Sequence, residues 1–183
     1  TVSEETGMDG AFGLTSDFMS GSILINLDSE DEGELFIGCA GGVDTTAHFD
    51  YTTKKIDKEL LTYKIGFCGG VGGHSGDDID KGRANAIQLL SRSLYKIMKE
   101  FNVSLCAIDG GNKPNAIARE AYAIIALKGE DLKAIKKMHM ATAEEIKAEY
   151  AATEPNISPV FEEAQWSEGA IDSPFSYFNI EFL

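Results

Sequence analysis

The order in which two hydrophobic periods alternate after Asp44 constrains the fold more than any other feature of the sequence. Leu60 to Cys68 reads as a strand and runs into the glycine-rich stretch Gly69-Gly70-Val71-Gly72-Gly73-His74-Ser75-Gly76. Ile87, Leu90, Leu94, Ile97, Met98 and Phe101 then share one helical face, which predicts a helix over roughly Lys81 to Phe101. Val103 to Ile108 is a strand, Gly110-Gly111-Asn112-Lys113-Pro114 a turn, and Ala118 to Leu127 another strand despite its alanines. After Gly129, Glu130 and Asp131 suit the first turn of a helix, where negative charge opposes the dipole. Its apolar stripe is Leu132, Ile135, Ala143, Ile146 and Tyr150; Pro155 closes it, and Ile157 to Ala164 forms a last strand. The order strand, helix, strand, strand, helix, strand is the split βαβ, ferredoxin-like arrangement: an α+β layer with an antiparallel sheet and two helices on one face. Such a layer leaves a face or an edge strand in need of cover, so a homodimer is expected.

The residues before this block are glycine-rich and acidic, with strand candidates at Ser22 to Leu27 and Glu34 to Cys39. The run Ser22-Ile23-Leu24-Ile25-Asn26-Leu27-Asp28 fits a buried strand that delivers Asp28 at its C-terminal end, where open α/β sheets place ligands. The tail after Gln165 is rich in aromatics and shows no clear period. Thirty acidic residues against sixteen basic ones give a formal charge of -14. That field repels phosphate backbones and anionic lipid, which excludes nucleic acid and membrane surfaces as partners and draws in cations. No apolar run approaches the ~18 residues of a membrane span. Cys39, Cys68 and Cys106 are odd in number and widely spaced, so neither a disulfide framework nor a CxxC knuckle is expected, and a reducing cytoplasm is. A first residue of Thr fits either a removed leader or a piece of a longer chain.

Three groups of residues can carry chemistry. In the pair Glu4-Glu5 one carboxylate can ligate a metal while the other stays free as a base, with Asp28 as a third carboxylate; otherwise these are solvated acids. His74, among Gly72, Gly73 and Gly76, sits where the backbone can approach a ligand closely, although a lone His is more often structural. That loop lacks the GK[ST] ending of a phosphate cradle. Asn115 and Arg119 can bind a substrate carboxylate, Arg by a two-pronged contact; otherwise Asn115 caps a turn and Arg119 neutralises surface acids. His48 and His139 read as structural, and no Ser/His/Asp or Cys/His arrangement is present.

Taken in order, Thr1-Val2-Ser3-Glu4-Glu5-Thr6-Gly7-Met8-Asp9-Gly10-Ala11, Ile25-Asn26-Leu27-Asp28-Ser29-Glu30, Gly38-Cys39-Ala40-Gly41-Gly42, Gly72-Gly73-His74-Ser75-Gly76, Arg83-Ala84-Asn85, Asn115-Ala116-Ile117 and Arg119-Glu120 resemble the aminoacyl-histidine dipeptidase family. These are the Xaa-His dipeptidases, or peptidase D, among the dinuclear zinc peptidases. The resemblance covers roughly residues 1 to 150 and implies that Glu4 is the general base, Glu5 a ligand of one zinc and Asp28 of the other. It implies that His74, in the lid, reaches the partner subunit's active site and steadies the oxyanion, while Asn115 and Arg119 hold the dipeptide. Residues 1–43 would then be a partial catalytic α/β segment, 44–165 the lid and dimerisation domain, and 166–183 a tail. The family's site also needs a His-x-Asp pair and a bridging carboxylate from upstream of the Glu-Glu motif and a final His from far downstream, and the sequence given holds neither stretch. The resemblance therefore implies a piece centred on the lid, with an incomplete site for the two zinc ions. The parent would be a zinc dipeptidase; alone, the chain would be a non-catalytic dimerisation and capping module.

Overall fold

The computed structural model describes residues 9–27, 32–38 and 46–172. The chain divides into two units, residues 1–49 and 50–183.

The described part of the first unit contains one helical turn, α1 (Asp9–Phe12). The strands expected at Ser22 to Leu27 and Glu34 to Cys39 are not formed over residues 22–27 and 34–38. Ile23, Leu24, Ile25, Leu27, Leu35, Phe36 and Ile37 are exposed instead. A strand is stable only when its backbone groups and one face are paired, and among the described residues no strand pairs with either segment. Asp28 itself lies outside the described residues.

The second unit follows the expected order. Its principal elements are β2 (Leu61–Cys68), α2 (Ala86–Glu100), β4 (Ser104–Gly110), β6 (Ala121–Leu127), α3 (Leu132–Glu149) and β7 (Ser158–Glu163). The sheet order is β4-β6-β2-β7, every pair antiparallel, with Ile65 opposite Ala123 on one side and Phe161 on the other. Short elements complete it: β1 (Thr53–Lys54) pairs with β8 (Ala170–Ile171), and β3 (Gly73–His74) with β5 (Ala116–Ile117). The fold is thus α+β, a four-stranded antiparallel sheet with two helices packed on it.

Alternation decides the faces. Ile65, Phe67, Ala121, Ala123, Ile125 and Leu127 are buried with Leu90, Leu94 and Ile97 of α2 and with Ile135, Ala143 and Ile146 of α3. Each fully buried aliphatic side chain contributes about 1.5–3 kcal/mol. On the opposite face Cys106 and Ala126 pack with Ala170, bordered by Ile56, Leu60, Ile124 and Trp166, so part of the aromatic tail belongs to this layer. A bulge between Leu105 and Ala107 leaves Cys106 as the extra residue of β4, and burial pushes its thiol up to about 11.

Three boundaries move, each for a local reason. Helix α2 begins at Ala86 rather than Lys81 because Asn85, in extended backbone, accepts from Ile87 N at 3.0 Å and caps it. The preceding residues form a 3-10 turn, Ile79–Lys81, stopped by Gly82 at a φ of 66°. Helix α3 begins at Leu132, so Glu130 and Asp131 precede its first turn, and it ends at Glu149, well before Pro155. His139 is fully buried, as expected of a packed residue.

Candidate functional site

The chain leaves the central strand β2 through Gly69 and Gly70 and crosses to β3, and this loop is fixed by side chains from elsewhere in the unit. Gly70 N donates to Arg119 O at 3.0 Å, and Arg119 Nε donates back to Gly70 O at 3.1 Å. Val71 N donates to Glu154 Oε2 at 2.7 Å. Arg83 Nη1 donates to Gly72 O at 3.2 Å, and His74 N donates to Asp78 Oδ2 at 2.7 Å. Glycine is required at two of these steps. Gly72 has a φ of +68° and lies against the Arg119 stem, while Gly73 has a φ of +150° and any Cβ there would strike the Asp78 carboxylate. Asp78 is held below the usual carboxylate range by the hydrogen bond from Lys81 and the backbone N–H of His74, and it raises Lys81 in return.

His74 is half-exposed. Its Nδ1 accepts from Gly76 N at 3.1 Å and from Asp77 N at 3.3 Å, with Asp77 Oδ2 3.8 Å away. With Nδ1 occupied as an acceptor, the neutral ring carries its proton on Nε2, which becomes a donor. Pairing of β3 with β5 sets His74 opposite Ala116, and Ser75 N donates to Asn115 O at 2.9 Å. Asn115 is therefore beside His74, although 41 residues separate them in sequence. Its Oδ1 is buried and has no hydrogen-bond partner among the described residues. No ion pair engages the Arg119 guanidinium among the described residues. Beyond Arg119 opens a cavity of about 470 Å³, lined by Gly69, Asp109, Gly111, Glu120 and Tyr122 among others. The Tyr122 phenol is raised to about 12 by burial and by its hydrogen bond to Glu120.

His74, Asn115 and Arg119 are thus brought onto one loop-and-strand unit. Glu4, Glu5 and Asp28 lie outside the described residues. Among the described residues no three His, Cys, Asp or Glu side chains gather where a metal ion could sit, so these residues by themselves do not make a zinc site. Glu154 escaped the sequence reading. It is buried, and its carboxylate accepts from Val71 N and from Ala84 N, at 2.7 and 2.8 Å. The only sequence signal for it is an acid placed just before Pro155, in a turn between a helix and a strand.

Residues 57–154 match the M20 family described as the peptidase dimerisation domain. The cytosol non-specific dipeptidase of Escherichia coli K12 is 40% identical over 158 residues, which are 86% of this chain and 33% of that protein. The crystal structure of aminoacylhistidine dipeptidase from Vibrio alginolyticus aligns with a TM-score of 0.77 at 33% identity, covering 99% of this chain and 37% of the other. The chain therefore spans about a third of the length of these relatives. No helix among the described residues is long and apolar enough to cross a membrane. With the family match covering more than half of its residues and the expected sheet order in place, the chain belongs to the M20 peptidase dimerisation-domain family.

Proposed function

We propose that this chain is the dimerising and substrate-capping part of a cytoplasmic, zinc-dependent dipeptidase that hydrolyses Xaa-His dipeptides. The observation that carries the proposal is the His74 ring, half-exposed, whose Nδ1 takes two backbone N–H groups and so leaves Nε2–H as its donor. Peptide hydrolysis gathers negative charge on the carbonyl oxygen at the tetrahedral stage, and a donor fixed before the reaction stabilises that charge without reorganising. Asn115, with an unpartnered buried oxygen, accepts an N–H of the bound dipeptide, and Arg119 takes its carboxylate in a two-pronged contact. Glu4 keeps the role of base, and Glu5 and Asp28 those of zinc ligands, that the family resemblance gives them. The names of the two relatives support the dipeptidase class, and the family description supports a homodimer; that each lid serves its partner's site is what the family resemblance implies.

The test is His74→Ala in the full-length protein with zinc present. A kcat lowered by about 10²–10³-fold, with little change in thermal stability, is expected. An unchanged kcat overturns the oxyanion role. Light scattering at micromolar concentration is expected to give a dimer, and a monomer overturns that part of the proposal. The chain by itself is proposed to be non-catalytic, since Glu5 and Asp28 alone offer fewer than the about three protein ligands of a catalytic zinc. Zinc-dependent turnover of an Xaa-His dipeptide by this chain would overturn that.

A further inference from the structure

Glu154 is the one carboxylate buried among the described residues, at 3% exposure. Burying a carboxylate is unfavourable unless its oxygens are satisfied. Both are satisfied by backbone N–H groups: Oε2 by Val71 in the glycine-rich loop and Oε1 by Ala84, immediately before the cap of α2. One carboxylate thus ties the loop that carries His74 to the start of a core helix whose Leu89, Leu90 and Leu94 are immobilised by packing. The tie falls where it has most effect. Val71 is flanked by Gly70 and Gly72, and Gly72 and Gly73 both have positive φ, so this glycine-rich backbone loses much freedom on ordering. Asp78 and the backbone of residues 76 and 77 orient the ring locally. Glu154 and Arg119, with Arg83 on Gly72 O and the pairing of β3 with β5, hold the loop to the rest of the unit, and of these only Glu154 does so with a buried carboxylate.

We infer that Glu154 is a positioning residue for His74: it fixes where Nε2–H points and so acts on the reaction only through that ring. The inference rests on the proposed role of His74 as the oxyanion donor. A residue that only stabilised the fold would change kcat equally whether or not His74 is present.

The experiment is a double-mutant cycle on the full-length protein with zinc, using Glu154→Gln, His74→Ala and both together. Gln offers one acceptor and one donor to two N–H groups and cannot satisfy both. E154Q alone is expected to lower kcat by about 10- to 100-fold, with KM within about twofold. In the His74→Ala background the same change is expected to lower kcat no further. If H74A lowers kcat but E154Q leaves it unchanged, or lowers it by the same factor in both backgrounds, the inference is overturned and the role of His74 stands. If H74A leaves kcat unchanged, the role of His74 falls, and side-chain 15N resonances of histidine-labelled protein decide the positioning. A His74 ring that is protonated on Nε2 in the wild type and becomes a tautomer mixture in E154Q supports it, while an unmoved ring overturns it. Should E154Q fail to fold, Glu154→Asp keeps the charge, reaches only one of the two amides, and enters the same cycle and the same resonance measurement with the same criteria.

Discussion

Two apolar runs of similar composition meet opposite fates in this molecule. Residues 22–27, Ser-Ile-Leu-Ile-Asn-Leu, form no strand, and Ile25 is 76% exposed. Residues 121–127, Ala-Tyr-Ala-Ile-Ile-Ala-Leu, form the strand β6, and Ile125 is 0% exposed. By composition neither run is clearly the better strand. What separates them is neighbours: β6 is paired on both edges by β2 and β4, and its odd-numbered residues face two helices. An apolar run therefore states a need for burial, and the rest of the chain decides whether the need is met.

The sharpest way to break this comparison is to truncate one isoleucine in each run. Ile125→Ala is expected to lose about 2–5 kcal/mol in denaturant unfolding, because the tight core cannot collapse around the gap. Ile25→Ala is expected to stay within about 0.5 kcal/mol. Equal losses would show that the first run is buried in solution. A second pair adds atoms instead of removing them. A Cβ at Gly66, in the middle of β2, would strike Ala121 O and lie 2.7 Å from Tyr122 Cδ1, whereas one at Gly38 meets nothing within 4 Å among the described residues. Gly66→Ala is expected to cost about 1–3 kcal/mol by overpacking, measured by the same unfolding curve. Gly38→Ala is expected to be neutral, and a comparable loss there would again count against open surroundings for the first unit.

The same contrast explains what was legible in the sequence. The layer of residues 50–172 was readable because each of its elements carries its own period: the stripe from Ile87 to Phe101 and the alternation along β2 and β6 state both the type of element and the buried face. Pairing partners are not written locally, so Ser22 to Leu27 read as a strand that the described structure does not form. The start of α2 was misread because Gly82 and Arg83 interrupt no apolar stripe, and the stop signal is a cap, Asn85, rather than a pattern. At the candidate site, His74 stood out by its glycine neighbours and Asn115 by its turn, but their adjacency comes from β3 pairing with β5. Glu154 lies 83 residues from Val71 and 70 from Ala84, and no local rule connects a carboxylate to amides at that distance.

A titration can report which region has closed without changing any core side chain. His139 is fully buried between Phe67 and Phe161, with Nδ1 2.7 Å from Ser93 Oγ and Nε2 without a hydrogen-bond partner among the described residues. Burial lowers its tendency to take a proton from the ordinary 6.5, only partly opposed by the nearby main-chain carbonyls of Val160 and Gly66. The unfolded chain keeps the ordinary value, so below pH 6.5 it binds more protons than the folded one. Stability is therefore complete above pH 6.5 and falls as the pH drops below it, by up to about 1.4 kcal/mol per pH unit. His139→Leu is expected to flatten that part of the profile, although it also leaves the Ser93 hydroxyl unpaired. A wild-type profile with no slope between pH 6.5 and 5 would mean that the ring is hydrated and that this part of the core is open.

The smallest effects belong to the outer surface of the helix layer, where the comparison can be tested by what fails to matter. Lys96 bonds Glu145 at 2.5 Å and Arg92 bonds Glu149 at 2.7 Å, both pairs crossing from α2 to α3. All four side chains are 40–59% exposed, so water and salt screen the attraction, and holding two long side chains in register costs entropy. Lys96 holds Glu145 below the usual carboxylate range, but at a solvated position that shift translates into little stability. Glu149→Gln is expected to cost about 0.2–1 kcal/mol, and the difference from wild type is expected to vanish in about 0.5 M salt. If it instead cost as much as Ile125→Ala and survived the salt, the two helices would be held to each other by charge. Burial of Leu90, Leu94, Ile135 and Ile146 against the sheet would then no longer explain why residues 50–172 form a layer while residues 22–27 remain exposed.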